Sequence, residues 1–258
     1  MRRLILEEPV SAAAVWSRRV ALFAIALAVI GVVLLRARAT DVTAGVAVFG
    51  FAILAACAAI LLAGAAAVVV WRTGRRGMSV AILGVILAGL VLAWPAWLAV
   101  KAVRLPLLND ISTDIADPPS FSRSARALAA RNGRAPPELP PERRSPQTRA
   151  YPDVQPILVD VEAEETFQMV LRAAQALGWE VIEQSPPGGR RGDGRIEAVA
   201  RSLVMRFPDD IVVRIRPLAG QTRIDVRSAS RYGRHDFGVN AARIGRFAQE
   251  MQAQLDAR

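Results

Sequence analysis

The sequence predicts an α+β protein in which three N-terminal transmembrane helices precede a small antiparallel-sheet domain with the element order β-α-β-β-β-β-α. Three observations lead to this fold class. Three long apolar stretches lie within the first 100 residues, a proline-rich segment follows, and the chain after residue 156 alternates strand-like and helix-like patterns. We therefore predict a three-helix membrane anchor over 1–104, a Pro/Arg-rich linker over 105–150 and a periplasmic α+β domain over 151–258.

The three apolar stretches are residues 20–35, 42–71 and 78–100. A spanning helix needs about 20 apolar residues, so the second and third stretches are long enough. The first is short, but arginines at both of its ends can reach the interfaces and extend its span. No Asp, Glu, Lys, Arg or His side chain lies inside the stretches, which argues against a transport path and favours an anchor in the lipid bilayer.

The orientation follows from the basic residues between the spans. Seven arginines lie in the N-terminal segment and the second loop, against four basic residues in the first loop and just after the third span. Positive loops stay in the cytoplasm, which predicts a multi-pass inner-membrane protein with a cytoplasmic N-terminus and a periplasmic C-terminal domain. The first span also resembles a signal peptide with a cleavage site near Ala37-Arg38-Ala39, and cleavage there would leave the C-terminal domain on the same side.

Six single prolines or proline pairs between Pro118 and Pro156 exclude long regular structure, although 124–131 could form two helical turns. The linker arginines Arg143, Arg144 and Arg149 fit either a solvated segment or contact with anionic headgroups.

The domain elements come from the period of the apolar residues. Apolar residues from Phe167 to Leu177 recur at helical spacing and Gly178 supplies a stop. The predicted elements are a strand over 157–161, a helix over 164–177, strands over 179–184, 195–204, 210–216 and 222–228, and a helix over 240–255.

Charge and composition exclude several classes of protein. The net charge of +10 comes from the first 150 residues, because 151–258 carry fifteen arginines and fifteen acids. A neutral domain with few aromatic residues argues against a nucleic-acid partner. Cys57 and His235 are the single cysteine and histidine of the chain, so a disulfide framework, a cysteine-based metal site and a histidine-rich metal site are excluded. No phosphate-loop or dinucleotide motif is present, and we expect no cofactor.

The candidate site is an arginine-rich stretch near the C-terminus. Residues 201–246 carry ten arginines and only four aspartates, and the loop before the last helix adds hydroxyl groups. Guanidinium groups, hydroxyls and free N–H groups at a helix start together favour an anion. The predicted ligand-binding residues are Arg214, Arg216, Arg227, Ser228, Ser230, Arg231, Asn240 and Arg243. In the alternative, structural interpretation, Arg227, Arg231 and Arg243 pair with Asp225, Asp236 and Asp209 and lock the loop.

Whether the protein is an enzyme is left open by the sequence. Ser228 or Ser230 with His235 and Asp236 has the residue types of a hydrolytic triad, but no nucleophile-elbow signature accompanies them. Asp236 fits the role of a helix cap better. Asp209 and Asp210 are adjacent in a turn and are expected to point apart.

Several motifs of the chain resemble the bacterial family known as domain of unknown function 1499. They are Asn109 to Asp114 with Pro118-Pro119, Tyr151-Pro152-Asp153, Gly178-Trp179, Gly194 to Ala198, Phe207 to Asp210, Asp225 to Arg234, and Asp236, Gly238 and Asn240 to Ile244. The resemblance implies a membrane-anchored member of that family and supplies no reaction.

The sequence as a whole favours a non-enzymatic, membrane-anchored periplasmic binding or scaffold domain of the bacterial envelope, whose partner is an envelope protein or a small anionic ligand. The alternative is an envelope hydrolase that uses the loop from Ser228 to Asp236. The oligomeric state stays open.

Overall fold

The structure is a computed structural model that describes residues 8–140, 142, 144–188 and 192–257, with only the backbone of Arg144. Arg2, Arg3 and Arg143, on which the predictions of orientation and headgroup contact partly rest, lie outside the described residues. The chain divides into two compact units. The first comprises Met1–Val100 with Val204–Arg206, and the second comprises Lys101–Leu203 with Phe207–Arg258.

The first unit contains three long helices, α1 (Ala12–Arg36), α2 (Val42–Thr73) and α3 (Met78–Arg104), of which α3 ends in the second unit. All three are long and apolar enough to cross a membrane. Asp41 caps the start of α2 by accepting a hydrogen bond from the Ala44 amide at 2.6 Å, and Gly74 ends the helix in the left-handed conformation. Each helix contains the corresponding predicted apolar stretch and extends beyond one or both of its ends.

The three helices pack through small side chains. Ala24, Ala56 and Ala88 are buried between them, whereas the large side chains of Leu54 and Leu61 point outward. The Ser17 hydroxyl donates to the Ala59 carbonyl at 2.9 Å, and a Cβ atom at Gly84 would overlap that hydroxyl. Small residues inside and large apolar residues outside are the arrangement that suits helices surrounded by lipid.

The second unit is built on an antiparallel sheet. Its described strands are β1 (Asp110–Ser112), β2 (Ile157–Val159), β3 (Glu180–Ser185), β4 (Gly194–Arg201), β5 (Pro208–Leu218) and β6 (Gln221–Ser230). The order is β3-β4-β5-β6, and β1 and β2 lie one after the other along the far edge of β6. The register places Glu197 opposite Val212 and Val212 opposite Arg227, so these three side chains share one face. We call this the polar face.

The opposite face of the sheet packs against helices. The helices that lie wholly within the second unit, as far as it is described, are α4 (Ala125–Ala130), α5 (Arg144–Ala150), α6 (Ala163–Ala176) and α7 (Val239–Asp256). Helices α6 and α7 bury Phe167, Val170 and Phe247 against Ile211 and other strand residues. The rings of Trp179 and Phe247 stack with centroids 5.4 Å apart. The predicted α+β class, with three transmembrane-type helices before an antiparallel sheet, is confirmed.

The segment predicted as a linker is part of the second unit in the structure. It supplies strand β1, helix α4 and helix α5, of which only α4 was anticipated, as the short helix over 124–131. Residues 113–140, which we call the cover segment, lie on the polar face, where Phe121 packs against Val212 and Ala229. In α5, the Gln147 amide bonds to both the N–H and the C=O of Ser112, at 3.2 and 2.6 Å. The prolines of this segment prevent long helices and strands but not folding onto the sheet.

Candidate functional site

The predicted residues Arg214 and Arg216 lie on the polar face of β5, and both are ion-paired. Arg214 donates two hydrogen bonds to Asp225 at 3.1 and 2.8 Å and two to Asp117, to its carboxylate at 2.8 Å and to its carbonyl at 2.9 Å. Arg216 reaches Asp117 at 3.2 Å. Although burial acts to lower it, the pKa of Arg214 is raised because Asp225 and Asp117 stabilise the charged form. These two arginines tie the cover segment to the sheet.

The predicted residue Arg227 is almost completely buried, with 2% of its surface exposed. Its guanidinium forms a fork with the Asp110 carboxylate, at 2.9 and 2.6 Å, and donates to the carbonyls of Pro119 and Pro137 at 3.2 and 2.5 Å. It also lies over the Phe121 ring, 5.0 Å from the centroid. Among the described residues, the partners of this side chain therefore come from β1 and the cover segment.

Arg131 of the cover segment pairs with two carboxylates of the polar face, and the sequence analysis did not select this residue. It lies at the end of α4, is 1% exposed, and bonds to both Glu197 and Asp210. Asp210 also accepts from Arg231, at 2.8 Å, and Glu197 from Arg195, at 2.5 Å. Two buried carboxylates are thus shared between three guanidinium groups, which satisfies the requirement that buried charges be paired.

The remaining predicted residues form a separate cluster on the helix-packed face, at the start of α7. The Ser228 hydroxyl donates to Asn240 Oδ1 at 2.7 Å, and Arg243 donates to both of these oxygens. Arg243 also pairs with Asp209 at 2.5 Å, while the Asn240 amide donates to the Ser230 hydroxyl at 2.9 Å. Burial raises the pKa of Asp209, and the nearby Arg243 only partly offsets this effect. The cluster joins the end of β6 to the first turns of α7.

The eight predicted residues therefore do not converge on one point. They divide between the two faces of the sheet, and every one of them has a hydrogen-bonding partner in the structure. The count of ten arginines against four aspartates within 201–246 leaves out Asp110, Asp114 and Asp117 of the predicted linker, which pair with arginines of that stretch. Of the three pairings in the structural interpretation, Arg243 with Asp209 is present, whereas Arg227 and Arg231 pair with Asp110 and Asp210.

The residues of the hydrolase alternative are close in sequence but are used for other contacts. His235 Nδ1 accepts from the Phe237 amide at 2.8 Å, and Nε2 lies 3.3 Å from the Leu105 carbonyl. Asp236 caps α7 by accepting from the amides of Gly238 and Asn240 at 2.9 and 2.8 Å. Since the hydroxyls of Ser228 and Ser230 bond to Asn240, no serine–histidine–aspartate relay is formed by these side chains.

Asp209 and Asp210 point to opposite faces of β5, as expected for adjacent strand residues. One pairs with Arg243 and the other with Arg131 and Arg231. Because the sheet lies between the two carboxylates, they cannot act together as paired acid catalysts. Across the part of the chain that the structure describes, histidine, cysteine and acidic side chains form no group of three that could hold a metal.

A cleft of about 780 Å³ opens between the cover segment and the outer part of the sheet. The serines at 120, 122, 124 and 185 supply hydroxyl and carbonyl groups along its wall, and Arg123, Arg195, Glu138, Glu183 and Asp193 supply charges of both signs. Arg195 is 23% exposed and held by Glu197, and Ser124 donates to Glu183 at 2.9 Å. Arg123 is exposed and forms no ion pair with any described residue. No sequence pattern indicates this cleft, because its walls come from residues far apart in the chain.

The fold and the ion-paired sheet together define a class of protein, an α+β domain that follows three helices of membrane-spanning type and buries both faces of its sheet. Within that class, the family model described as "Protein of unknown function (DUF1499)" matches residues 110–251. The chain belongs to this family. The match begins at β1, so the family unit includes the cover segment that pairs with the polar face. No curated protein matches the chain.

Proposed function

We propose that the protein is a non-enzymatic binding module of the bacterial envelope, anchored in the inner membrane by α1, α2 and α3 and carrying its second unit in the periplasm. The anchor is supported by three helices whose small side chains face one another and whose large apolar side chains face outward. The periplasmic position rests on the bias of the basic residues that flank the spans, seven against four.

The single observation that carries the binding role is the cleft beside the cover segment. Ligand sites are concave and contain a few polar groups that fix the ligand's orientation. The arginines of the polar face and of the α7 start are matched by carboxylates, so an incoming anion would have to displace an existing partner there. In the cleft, Arg123 has no carboxylate partner among the described residues, and Ser122 and Ser124 line the cleft on either side of it in the sequence.

The ligand that fits this cleft is a polar molecule with an anionic group for Arg123 and hydroxyl or amide groups for the serines and acids. Carboxylates Glu138 and Glu183 in the same wall would repel a ligand that is anionic throughout. The mixed lining therefore favours a ligand that carries one acidic group next to several neutral polar groups.

The test compares Arg123→Ala with Arg126→Ala, since both arginines are exposed and only the first lines the cleft. The detergent-solubilised protein would be titrated by calorimetry with inorganic phosphate, a short acidic peptide and a sugar acid as probes. Charge-assisted hydrogen bonds contribute about 1.5–3 kcal/mol, so Arg123→Ala should weaken a bound probe about ten- to hundredfold, and Arg126→Ala should not. Equal effects of the two substitutions, or no binding of any probe, would refute the assignment of the site.

A further inference from the structure

His235 lies in the loop 231–238, which connects β6 to α7, and both nitrogens of its ring have a polar neighbour. Nδ1 accepts a hydrogen bond from the Phe237 amide at 2.8 Å, and Nε2 lies 3.3 Å from the Leu105 carbonyl. An amide donates only to a nitrogen that has a lone pair, so Nδ1 is unprotonated and Nε2 carries the proton that points to Leu105. This closed form of the loop therefore requires a neutral imidazole.

The backbone that follows His235 depends on this hydrogen bond. Phe237 has a φ of 54°, in the left-handed region that a residue other than glycine adopts at a cost, and Gly238 follows with a φ of 81°. The rings of His235 and Phe237 stack with centroids 4.6 Å apart. A second proton on the imidazole would bring two N–H groups against each other, at Nδ1 and at the Phe237 amide. The closed form would then lose the bond that holds its strained backbone.

The same loop holds the segment 101–108, which leads from the end of α3 towards β1. Lys101 Nζ donates to the Phe237 carbonyl at 3.2 Å, and the Asp236 amide donates to the Leu108 carbonyl at 2.9 Å. These contacts lie inside the second unit, which begins at Lys101. Because they come from the residues next to His235, opening of the loop at His235 also weakens its hold on this segment.

The charged residues described around the loop do not favour a second proton on the ring. The basic residues that bond to the loop or adjoin its contacts in the sequence are Lys101, Arg104 and Arg234. The buried carboxylate of Asp236 already accepts from two amides at the start of α7. Burial and the nearby Asp236 raise the pKa of Tyr151 to about 12, so this phenol stays neutral where an imidazole titrates.

We propose that the loop 231–238 is an acid-sensitive switch, in which protonation of His235 opens the loop and releases the segment 101–108. Since the closed form excludes the second proton, it is favoured at high pH and is lost as the pH falls through the range in which an imidazole titrates. The open fraction should rise about tenfold for each pH unit below about 6.5, the ordinary titration point of an imidazole. This proposal does not depend on the cleft or on its ligand.

Hydrogen exchange of the Phe237 amide reports the state of the switch in the full-length protein. The detergent-solubilised protein would be exchanged between about pH 8 and about pH 5 and analysed by mass spectrometry, with each rate divided by the intrinsic rate at that pH. Peptides that contain Phe237 should lose protection about tenfold per pH unit below about 6.5. Peptides from the buried centre of β5, Ile211 to Val213, are the internal reference and should stay protected.

Two substitutions separate the switch from general acid unfolding. In His235→Asn, the side-chain oxygen can take the place of Nδ1 as acceptor for the Phe237 amide and does not titrate in this range, so protection should persist at low pH. His235→Ala removes the acceptor, so the loop should exchange rapidly even at high pH. Constant protection of the parent protein across the range would overturn the proposal. It would also be overturned if the Asn variant lost protection with the parent's pH dependence, or if the Ala variant were as protected as the parent at high pH.

Discussion

Removing the Arg227 guanidinium should destabilise the second unit strongly, because this group is a structural clamp. The Arg227→Ala variant leaves the Asp110 side chain, which is only 9% exposed, without its bidentate partner, and it also leaves the carbonyls of Pro119 and Pro137 without their donor. Breaking a buried ion pair from one side costs about 3–5 kcal/mol. A domain of this size loses about 2–4 °C of melting temperature per kcal/mol, so we expect a decrease of about 6–20 °C.

The assay is thermal and urea unfolding of a fragment that begins at Lys101, with fluorescence of Trp179 as the signal. Trp179 is the single tryptophan after residue 100, and it is buried against Phe247. The matched control is Arg216→Ala, because Arg216 is 31% exposed and its partner Asp117 is 68% exposed. Exposed pairs contribute about 0–1 kcal/mol, so this variant should melt close to the parent.

The reasoning also predicts coupling between the two partners. Asp110→Ala should cost nearly as much as Arg227→Ala, and the double variant should cost clearly less than their sum, because each substitution alone leaves an unpaired buried charge. If Arg227→Ala melts within about 2 °C of Arg216→Ala, a difference that corresponds to roughly 1 kcal/mol or less, the clamp interpretation is refuted. Arg227 would then be available for a ligand.

Three further predictions concern the boundaries, the orientation and the alkaline stability of the unit. A fragment beginning at Lys101 should fold without detergent. A fragment beginning at Tyr151 should not fold, because it lacks β1 and the carboxylates that pair with Arg227 and Arg214. Hydrogen exchange of the backbone amides would distinguish the two fragments. Reporter fusions at Gly74 should read cytoplasmic and fusions at the C-terminus periplasmic, and a cytoplasmic signal at the C-terminus would contradict the envelope role. Burial, and to a lesser extent Asp236, raises the pKa of Tyr151 from 10.0 to about 12, so the unfolded chain releases this proton first. Stability should therefore fall as the pH rises from 10 through 12. The Tyr151 hydroxyl is buried and has no hydrogen-bond partner in the part of the chain that the structure describes, so Tyr151→Phe should reduce that fall without lowering stability at pH 7.

The elements from Ile157 onward could be predicted because each one carries its own local signal. The spacing of Phe167, Val170 and Leu177 identifies α6, and alternating apolar residues with polar turns identify β3 to β6 to within a few residues. Strand β1 has no such signal, because three residues are too few to show a period of two. Its pairing with β6 depends on contacts between residues more than 100 positions apart, which the sequence pattern does not reveal.

The arginines were recognised from the sequence, but their partners were not. Counting charges within 201–246 omits the acids of 110–117, and these acids are the partners of Arg214, Arg223 and Arg227. A usable signal was present, since three aspartates recur at spacings of four and three within a segment of otherwise basic character. The buried position of Arg131 had no signal at all, because a lone arginine after a short helix is indistinguishable from a solvated one.

The ion pairs of the polar face are better explained as contacts that position the cover segment on the sheet than as a source of stability for the domain. Replacing buried ion pairs with apolar residues is often neutral or stabilising, so their number alone says little about stability. The cover segment, however, contains only the short helix α4 and no strand ladder to fix its position on the sheet. The directional bonds of Arg131 to Glu197 and Asp210, and of Arg227 to Asp110, allow one alignment of this segment, whereas an apolar contact would tolerate several. Because the same segment forms one wall of the cleft, the alignment fixed by these arginines also sets the cleft's shape.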